Sequence, residues 1–155
     1  MEEIIIREMK KEDIAAVCQI EQACFSMPWS AKAFEESLDL PHACFLVAVF
    51  EETIAGYIGL YRVFQEGDIV NVAVLPEFRR RGIGRRLLEE MEELAVKNGI
   101  LDLTLEVRIS NQGAIRMYEA FGFEQAGVRK NFYEKPREDG LVMWKRNIGL
   151  FKENT

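Results

Sequence analysis

The chain has 155 residues, about the size of one ordinary domain, so residues 1–155 are expected to form a single unit without a separate regulatory module. With 48% hydrophobic and 30% charged residues it can bury a proper core, which excludes intrinsic disorder and any dependence on disulfide or metal staples. Its 26 acidic and 20 basic side chains give a formal charge of −6, the wrong sign for a protein that coats nucleic acid by counterion release.

The N-terminal stretch has an apolar run of only three residues, Ile4 to Ile6, flanked by acids and bases. It has neither a signal-peptide core nor a membrane span, and no membrane partner is expected. Ile4 to Arg7 reads as a strand. Glu12 to Phe25 follows as a helix, its stripe carried by Ile14, Val17, Cys18 and Glu21. Pro28 breaks that helix, and Ser30 can cap a second short one running through Phe34 to about Leu38, closed by Pro41. The sole histidine, His42, argues against a histidine-rich zinc site and leaves any Ser-His-Asp triad to that one residue; no metal is expected. Cys18, Cys24 and Cys44 form no CxxC pair, and an odd number of thiols fits a reducing compartment, so the expected location is cytoplasmic.

Two β-rich runs, Ala43 to Phe50 and Thr53 to Phe64, lead past Gln65–Gly67 to a third, Asp68 to Leu75, as an antiparallel meander. After Pro76 the period becomes helical. Leu87, Leu88, Met91, Leu94 and Ala95 share a face, while Glu89, Glu90, Glu92 and Glu93 are expected in water, and Lys97-Asn98-Gly99 ends the helix. Leu101 to Arg108 alternates as a strand, with Leu103, Leu105 and Val107 on one side and Thr104, Glu106 and Arg108 on the other. Asn111 starts a helix bearing Ile115, Tyr118 and Phe121, and two β-rich runs, Phe123 to Tyr133 and Leu141 to Asn147, close the chain. The order βααβββαβαββ predicts an α+β or α/β mixed sheet with helices on both faces.

The junction Pro76 to Arg86, PEFRRRGIGRR, carries five arginines between Arg79 and Arg86. Gly82 and Gly84 allow close backbone approach, and a helix N-terminus offers unpaired N–H groups, so the segment can cradle a phosphate. A solvated basic turn is the alternative. Cations at a helix N-terminus cost roughly 0.3–1 kcal/mol each, which points to an anion that offsets them. A P-loop would need a lysine and a hydroxyl after the second glycine, and a GxGxxG fingerprint would need glycine where Leu87 stands; neither fits. Two further residues could carry chemistry. Glu106 lies mid-strand where an ordinary core would avoid a carboxylate, although a surface-facing residue paired to Arg108 or a neighbour would look the same. Tyr118 lies on a helix stripe, where core packing also explains it.

The stretch NVAVLPEFRRRGIGRRLL resembles the acyl-CoA-binding motif of the GNAT superfamily of N-acetyltransferases, Q/R-x-x-G-x-G/A, at Arg79, Gly82 and Gly84. The resemblance covers essentially the whole chain. It implies a twisted, mostly antiparallel mixed sheet of about seven strands, acetyl-CoA as acetyl donor, and no metal. It also implies that the amides of Arg80, Arg81, Gly82, Ile83, Gly84 and Arg85 hold the coenzyme pyrophosphate while Val72, Ala73 and Val74 pair with the pantetheine. Leu105-Glu106-Val107-Arg108, Ser110-Asn111, Ala114-Ile115, Tyr118-Glu119 and Gly122-Phe123 resemble the RimI-like subgroup, which acetylates protein N-termini and is known for a small-subunit ribosomal protein target. That resemblance implies Glu106 as base, Tyr118 as acid to the departing thiolate, and Asn111 as a coenzyme contact. Pro28-Trp29-Ser30, Asn131-Phe132-Tyr133 and Arg137-Glu138-Asp139 leading to Met143 agree with it. Phe132 stands where the family often has a second tyrosine, and Gly140 where a small apolar residue is common.

A free carboxyl of pKa about 4.3 is a weak base. Neutralising an α-amine of pKa near 8 at pH 7 costs about 1.4 kcal/mol, against about 4.6 for a lysine. A modest base therefore suffices for an N-terminal amine, and the resemblance implies that the acceptor is the N-terminal amine, alanine, of a small-subunit ribosomal protein. Acetylation of lysines or small amines, and a non-catalytic coenzyme A adaptor, are the rival readings. The peptide is expected between the Ser26–Ser30 loop and the Phe132–Asp139 loop, gripped by Trp29 and Tyr133 with Glu138 or Asp139 near a basic chain; Trp29 as a lid over the core is an equal alternative. The chain is expected to be a monomer.

Overall fold

The computed structural model describes residues 3–149; residues 1–2 and 150–155, the ends of the expected single unit, lie outside it. Seven strands form one sheet: β1 (Ile4–Glu8), β2 (Ala43–Phe50), β3 (Thr53–Val63), β4 (Glu66–Val74), β5 (Asp102–Arg108), β6 (Glu124–Tyr133) and β7 (Glu138–Lys145), in the order β1-β2-β3-β4-β5-β7-β6. Every neighbouring pair is antiparallel except β4 and β5, so the expected mixed, mostly antiparallel sheet is present. The four helices are α1 (Ile14–Cys24), α2 (Ala31–Leu38), α3 (Ile83–Lys97) and α4 (Gln112–Ala120). On one face Leu87, Leu88, Met91 and Ala95 of α3 and Ile115 and Tyr118 of α4 pack on Leu103, Leu105 and Val107 of β5. On the other, Val17 and Ile20 of α1 and Phe34 of α2 pack on Phe45, Val47 and Tyr57.

The capping residues act as the sequence predicts. Ser30 Oγ accepts from Ala33 N at 3.1 Å, and Asn111 Oδ1 from Ala114 N at 3.2 Å, each satisfying an orphan first-turn donor. Some boundaries differ. The first helix begins at Ile14 after a single 3-10 turn at Lys11–Asp13, because the Asp13 carboxylate is bound by Arg7 at 2.7 and 2.9 Å and by Lys10 N at 2.8 Å. β4 begins at Glu66, so Gly67 is a strand residue and not a turn residue. A Cβ on Gly67 would lie 2.9 Å from Leu60 Cδ1 and 3.0 Å from Leu103 Cδ2, so glycine there reports close packing. Glu92, expected in water, is 9% exposed on the packed face of α3 and pairs with Lys145 Nζ at 2.6 Å. Among the described residues no helix is long and apolar enough to cross a membrane.

Candidate active site

The parallel pair β4–β5 is short. It runs only from Glu66–Asp102 to Ile69–Leu105, after which β4 pairs with β3 alone and β5 with β7 alone. From Val70 and Glu106 onward the two strands part, and each turns an unpaired backbone edge toward the gap. A register shift between Gly59 and Leu60 opposite β4 leaves Val70 without a partner on β3, and such a bulge bends a strand. The same bulge puts Asn71 on the α1 side, where its Nδ2 reaches Glu21 Oε1 at 3.0 Å. Val72, Ala73 and Val74 thus line one side of the opening.

At the far end of β4 the arginine-rich turn enters α3. Arg80 and Gly82 have left-handed backbones, with φ of 66° and 75°, and Gly82 caps α3 with no side-chain bond to its first-turn N–H groups. The first backbone bond at this end runs from Arg86 N to Gly82 O at 3.0 Å, so the amides of Ile83, Gly84 and Arg85 precede the helical ladder. A Cβ on Gly82 would meet nothing within 4 Å, whereas one on Gly84 would come 3.2 Å from Met117 Sδ. Gly82 faces open space and Gly84 admits α4. The inference from arginine density needs correcting, because most of these guanidinium groups already have protein partners. Arg79 Nε binds Val74 O at 3.2 Å, Arg81 lies over the Phe50 and Phe78 rings at 5.5 and 5.4 Å, Arg85 pairs with Glu89 at 3.1 Å, and Arg86 binds Ile4 O at 3.0 Å. The backbone, more than the side chains, makes this terminus a place for an anion.

Across the gap, Glu106 projects from the face of β5 opposite the α3–α4 layer. Its Oε1 accepts from Arg129 of β6 at 2.6 Å, while Oε2 is buried without a hydrogen-bond partner among the described residues. The expected alternative partner, Arg108, is engaged elsewhere. It donates to Pro136 O (2.9 Å), Glu134 O (2.9 Å), Glu138 Oε1 (3.2 Å) and Ser26 Oγ (3.3 Å), with its guanidinium 4.6 Å from the Tyr133 ring centre. One side chain thereby ties together the two loops between which the peptide groove was expected. Burial and the nearby Glu106 charge push the Tyr133 hydroxyl up to about 12. Tyr118 is 7% exposed and T-shaped against Phe123 at 5.9 Å; burial, then the neighbouring Tyr133, raises its hydroxyl well above the ordinary tyrosine value. Tyr133 thus senses the charge of Glu106, and Tyr118 senses Tyr133. Asn111 stands at the start of α4, its oxygen occupied by the cap.

The acids expected beside a basic substrate are turned to internal tasks. Glu138 Oε2 accepts from Ser110 N at 2.6 Å, and Ser110 and Arg108 hold its carboxyl below the usual range. Asp139 Oδ1 accepts from Asn131 N at 2.8 Å. The Trp29 ring sits against Phe34, Phe45 and Tyr61 at 5.3, 6.3 and 6.5 Å, covering the α1–α2 core and lining a cavity of about 420 Å³ with Ala33, Glu36, Ser37, Leu40 and Tyr61. This packing suits the lid reading of Trp29, while its ring also borders the cavity as a grip would.

Sequence reading missed the buried network beneath this lid. Glu21, 1% exposed, accepts from the Tyr57 hydroxyl, Asn71 Nδ2 (3.0 Å) and Trp29 N (2.9 Å). Burial raises its carboxyl above the usual value. The signal was present as an acid at the fourth position of the Ile14, Val17, Cys18 stripe.

Comparison with known proteins agrees with this geometry. The acetyltransferase (GNAT) family model matches residues 14–123. The ribosomal protein bS18-alanine N-acetyltransferase of Salmonella typhimurium is 38% identical over 138 residues, covering 84% of this chain and 89% of the relative. The crystal structure of the ribosomal-protein-S18-alanine N-acetyltransferase from Escherichia coli superposes with a TM-score of 0.87 at 33% identity, covering 94% of each chain. That of Ard1 from Thermoplasma volcanium gives 0.85 at 28% identity over 92% of this chain and 97% of its own. The chain belongs to the acetyltransferase (GNAT) family, in its RimI-like branch.

Proposed function

We propose that this chain, acting as one unit over residues 1–155, uses acetyl-CoA to acetylate the N-terminal alanine of ribosomal protein bS18. The names of the Salmonella and E. coli relatives support that target. The observation that carries the reading is the gap between β4 and β5, with an uncapped helix N-terminus at one end and a carboxylate on the opposite face.

Acetyl-CoA supplies an activated acyl group. The amides from Arg80 to Arg85 would hold its pyrophosphate, the open edge of Val72, Ala73 and Val74 its pantetheine arm, and the Asn111 side-chain amide would contribute a further polar contact through its nitrogen. A backbone N–H on that edge, fixed by the β3–β4 ladder, stabilises negative charge developing on an acyl oxygen without reorganising. Glu106 accepts the proton of the incoming amine, approached from the side of Oε1, since Oε2 is buried. Tyr118 holds the proton that a departing thiolate requires; burial keeps its hydroxyl protonated at neutral pH. Tyr133 and the loop fixed by Arg108 border the acceptor side.

Thiol release from acetyl-CoA with peptides of defined first residue tests the reading. An alanine-starting peptide is expected to turn over, and the same peptide with a blocked N-terminus and an internal lysine is not. Glu106→Gln and Tyr118→Phe are each expected to lower kcat by roughly 10²–10⁴-fold with acetyl-CoA affinity unchanged. Equal rates on the blocked lysine peptide would refute N-terminal selectivity, and wild-type kcat in either variant would remove that residue from the chemistry.

A further inference from the structure

Gly140 of β7 and Phe132 of β6 are in close contact. A Cβ on Gly140 would lie 3.2 Å from Phe132 Cδ2 and 3.3 Å from both Phe132 Cβ and Tyr133 Cε2, so the missing side chain lets Phe132 settle on β7. The Phe132 ring then carries the Arg129 guanidinium 4.7 Å from its centre. Arg129 in turn closes the solvent side of Glu106 at 2.6 Å. Gly140, Phe132, Arg129 and Glu106 form a single stack.

The stack rests on the exposed edge of the sheet. β6 is the edge strand, exposed from Glu124 to Phe132, and its register with β7 slips between Arg129 and Tyr133. The Arg129 side chain is 58% exposed, that of Glu106 24%. Arg129 can therefore swing into water without disturbing the core, and the Phe132 ring supports its guanidinium beside Glu106. A guanidinium and an α-ammonium make the same demand on a carboxylate: a cation whose N–H donates to an oxygen. With Oε2 buried, Glu106 has room for only one such cation.

We propose that Arg129 is a displaceable positioning residue that occupies, in the free enzyme, the place at Glu106 taken by the substrate's N-terminal ammonium, with Phe132 and Gly140 as its seat. The proposal rests on Glu106 being the amine-accepting carboxylate. It sets a common threshold: every acceptor, peptide or small amine, must outcompete Arg129 at Glu106.

The test is steady-state kinetics with an alanine-starting peptide and with alaninamide. Arg129→Ala is expected to lower the KM of both by about 1.4- to fivefold, the competition an exposed ion pair can exert, with the acetyl-CoA KM unmoved. Arg129→Lys, which restores a cation, is expected to bring KM back toward wild type. Ethylguanidinium is expected to inhibit Arg129→Ala competitively against peptide, filling the vacated place. An unchanged or raised KM in Arg129→Ala, or a fall in kcat alone, would overturn displacement and leave Arg129 as a fixed support of Glu106. The wild-type rate separates the two failures. If wild-type enzyme does not acetylate the peptide, the reading of Glu106 falls and the proposal with it; if it does and KM fails to fall in Arg129→Ala, only the proposal falls.

Discussion

Removing the Glu21 side chain is the sharpest test of what holds the acceptor-side loop in place. In Glu21→Ala three donors lose their acceptor together: the buried Tyr57 hydroxyl and the half-buried Asn71 Nδ2 and Trp29 N. A buried donor left unpaired costs about 1–3 kcal/mol. Taking about 2 for Tyr57 and about 1 for each of the others gives roughly 4 kcal/mol. At about 2–4 °C per kcal/mol for a chain of this size, Tm is expected to fall by about 8–16 °C. Glu21→Gln keeps a carbonyl acceptor and removes a desolvated charge, so it is expected to stay within about 1.5 kcal/mol of wild type. The pH dependence separates the two effects. Burial raises the Glu21 carboxyl above 4.5 in the folded chain, so between that value and the raised one the folded state binds more protons than the unfolded state. Stability contributed by the protonated acid is thus present below 4.5 and lost as pH rises through the folded value. Wild type is therefore expected to lose stability relative to Glu21→Gln as pH rises through that window. Urea denaturation of the three proteins at several pH values measures this; a Glu21→Ala variant within 1 kcal/mol of wild type would refute the network's role.

Other perturbations read other parts of the molecule. Gly82→Ala places a Cβ in open space but at φ 75°, so it is expected to cost about 1–2 kcal/mol and to raise the acetyl-CoA KM more than the peptide KM; calorimetric titration with coenzyme A checks the binding half. Arg108→Ala releases its bonds to Glu134 O, Pro136 O and Ser26 Oγ, and is expected to raise peptide KM and speed proteolysis between residues 134 and 137, with acetyl-CoA KM retained. The Arg7 hydrogen bonds hold the Asp13 carboxyl below 3.8. Its stabilisation is therefore complete above the unfolded value and lost as pH falls through the depressed folded one. Asp13→Asn is expected to flatten the acid limb of a Tm–pH curve, and an unchanged limb would refute the pairing.

What the sequence made legible is what local chemistry determines. Hydrophobic period and capping residues located the elements, since Ser30 and Asn111 bond the backbone within their own first turns. Alternation along β5 places Glu106 on the face opposite Leu105 and Val107. What stayed hidden depends on partners distant in sequence. Glu92 reads as a surface acid until Lys145 is brought against it. Glu21 reads as a stripe position until Asn71, 50 residues on, turns toward it through a bulge. The arginine cluster misled for the same reason: the partners of Arg86 and Arg81, Ile4 and Phe50, lie on strands far earlier in the chain.

The parting of β4 and β5 links these observations into one argument about selectivity. An anion-binding helix end and a carboxylate on the same sheet face would attract and repel the same ligand charges. Here the sheet separates them, with the α3 terminus and Tyr118 in one layer and Glu106 and Arg129 in the other. A negatively charged donor and a positively charged acceptor can thus enter from opposite faces and meet only where the strands are apart. Because a carboxylate need remove only about 1.4 kcal/mol worth of protonation from an α-amine at pH 7, against about 4.6 from a lysine, the acceptor face can remain wet and still discriminate. That leaves the edge hairpin β6–β7, with Arg129, Phe132 and Gly140, as the wall that borders the acceptor side.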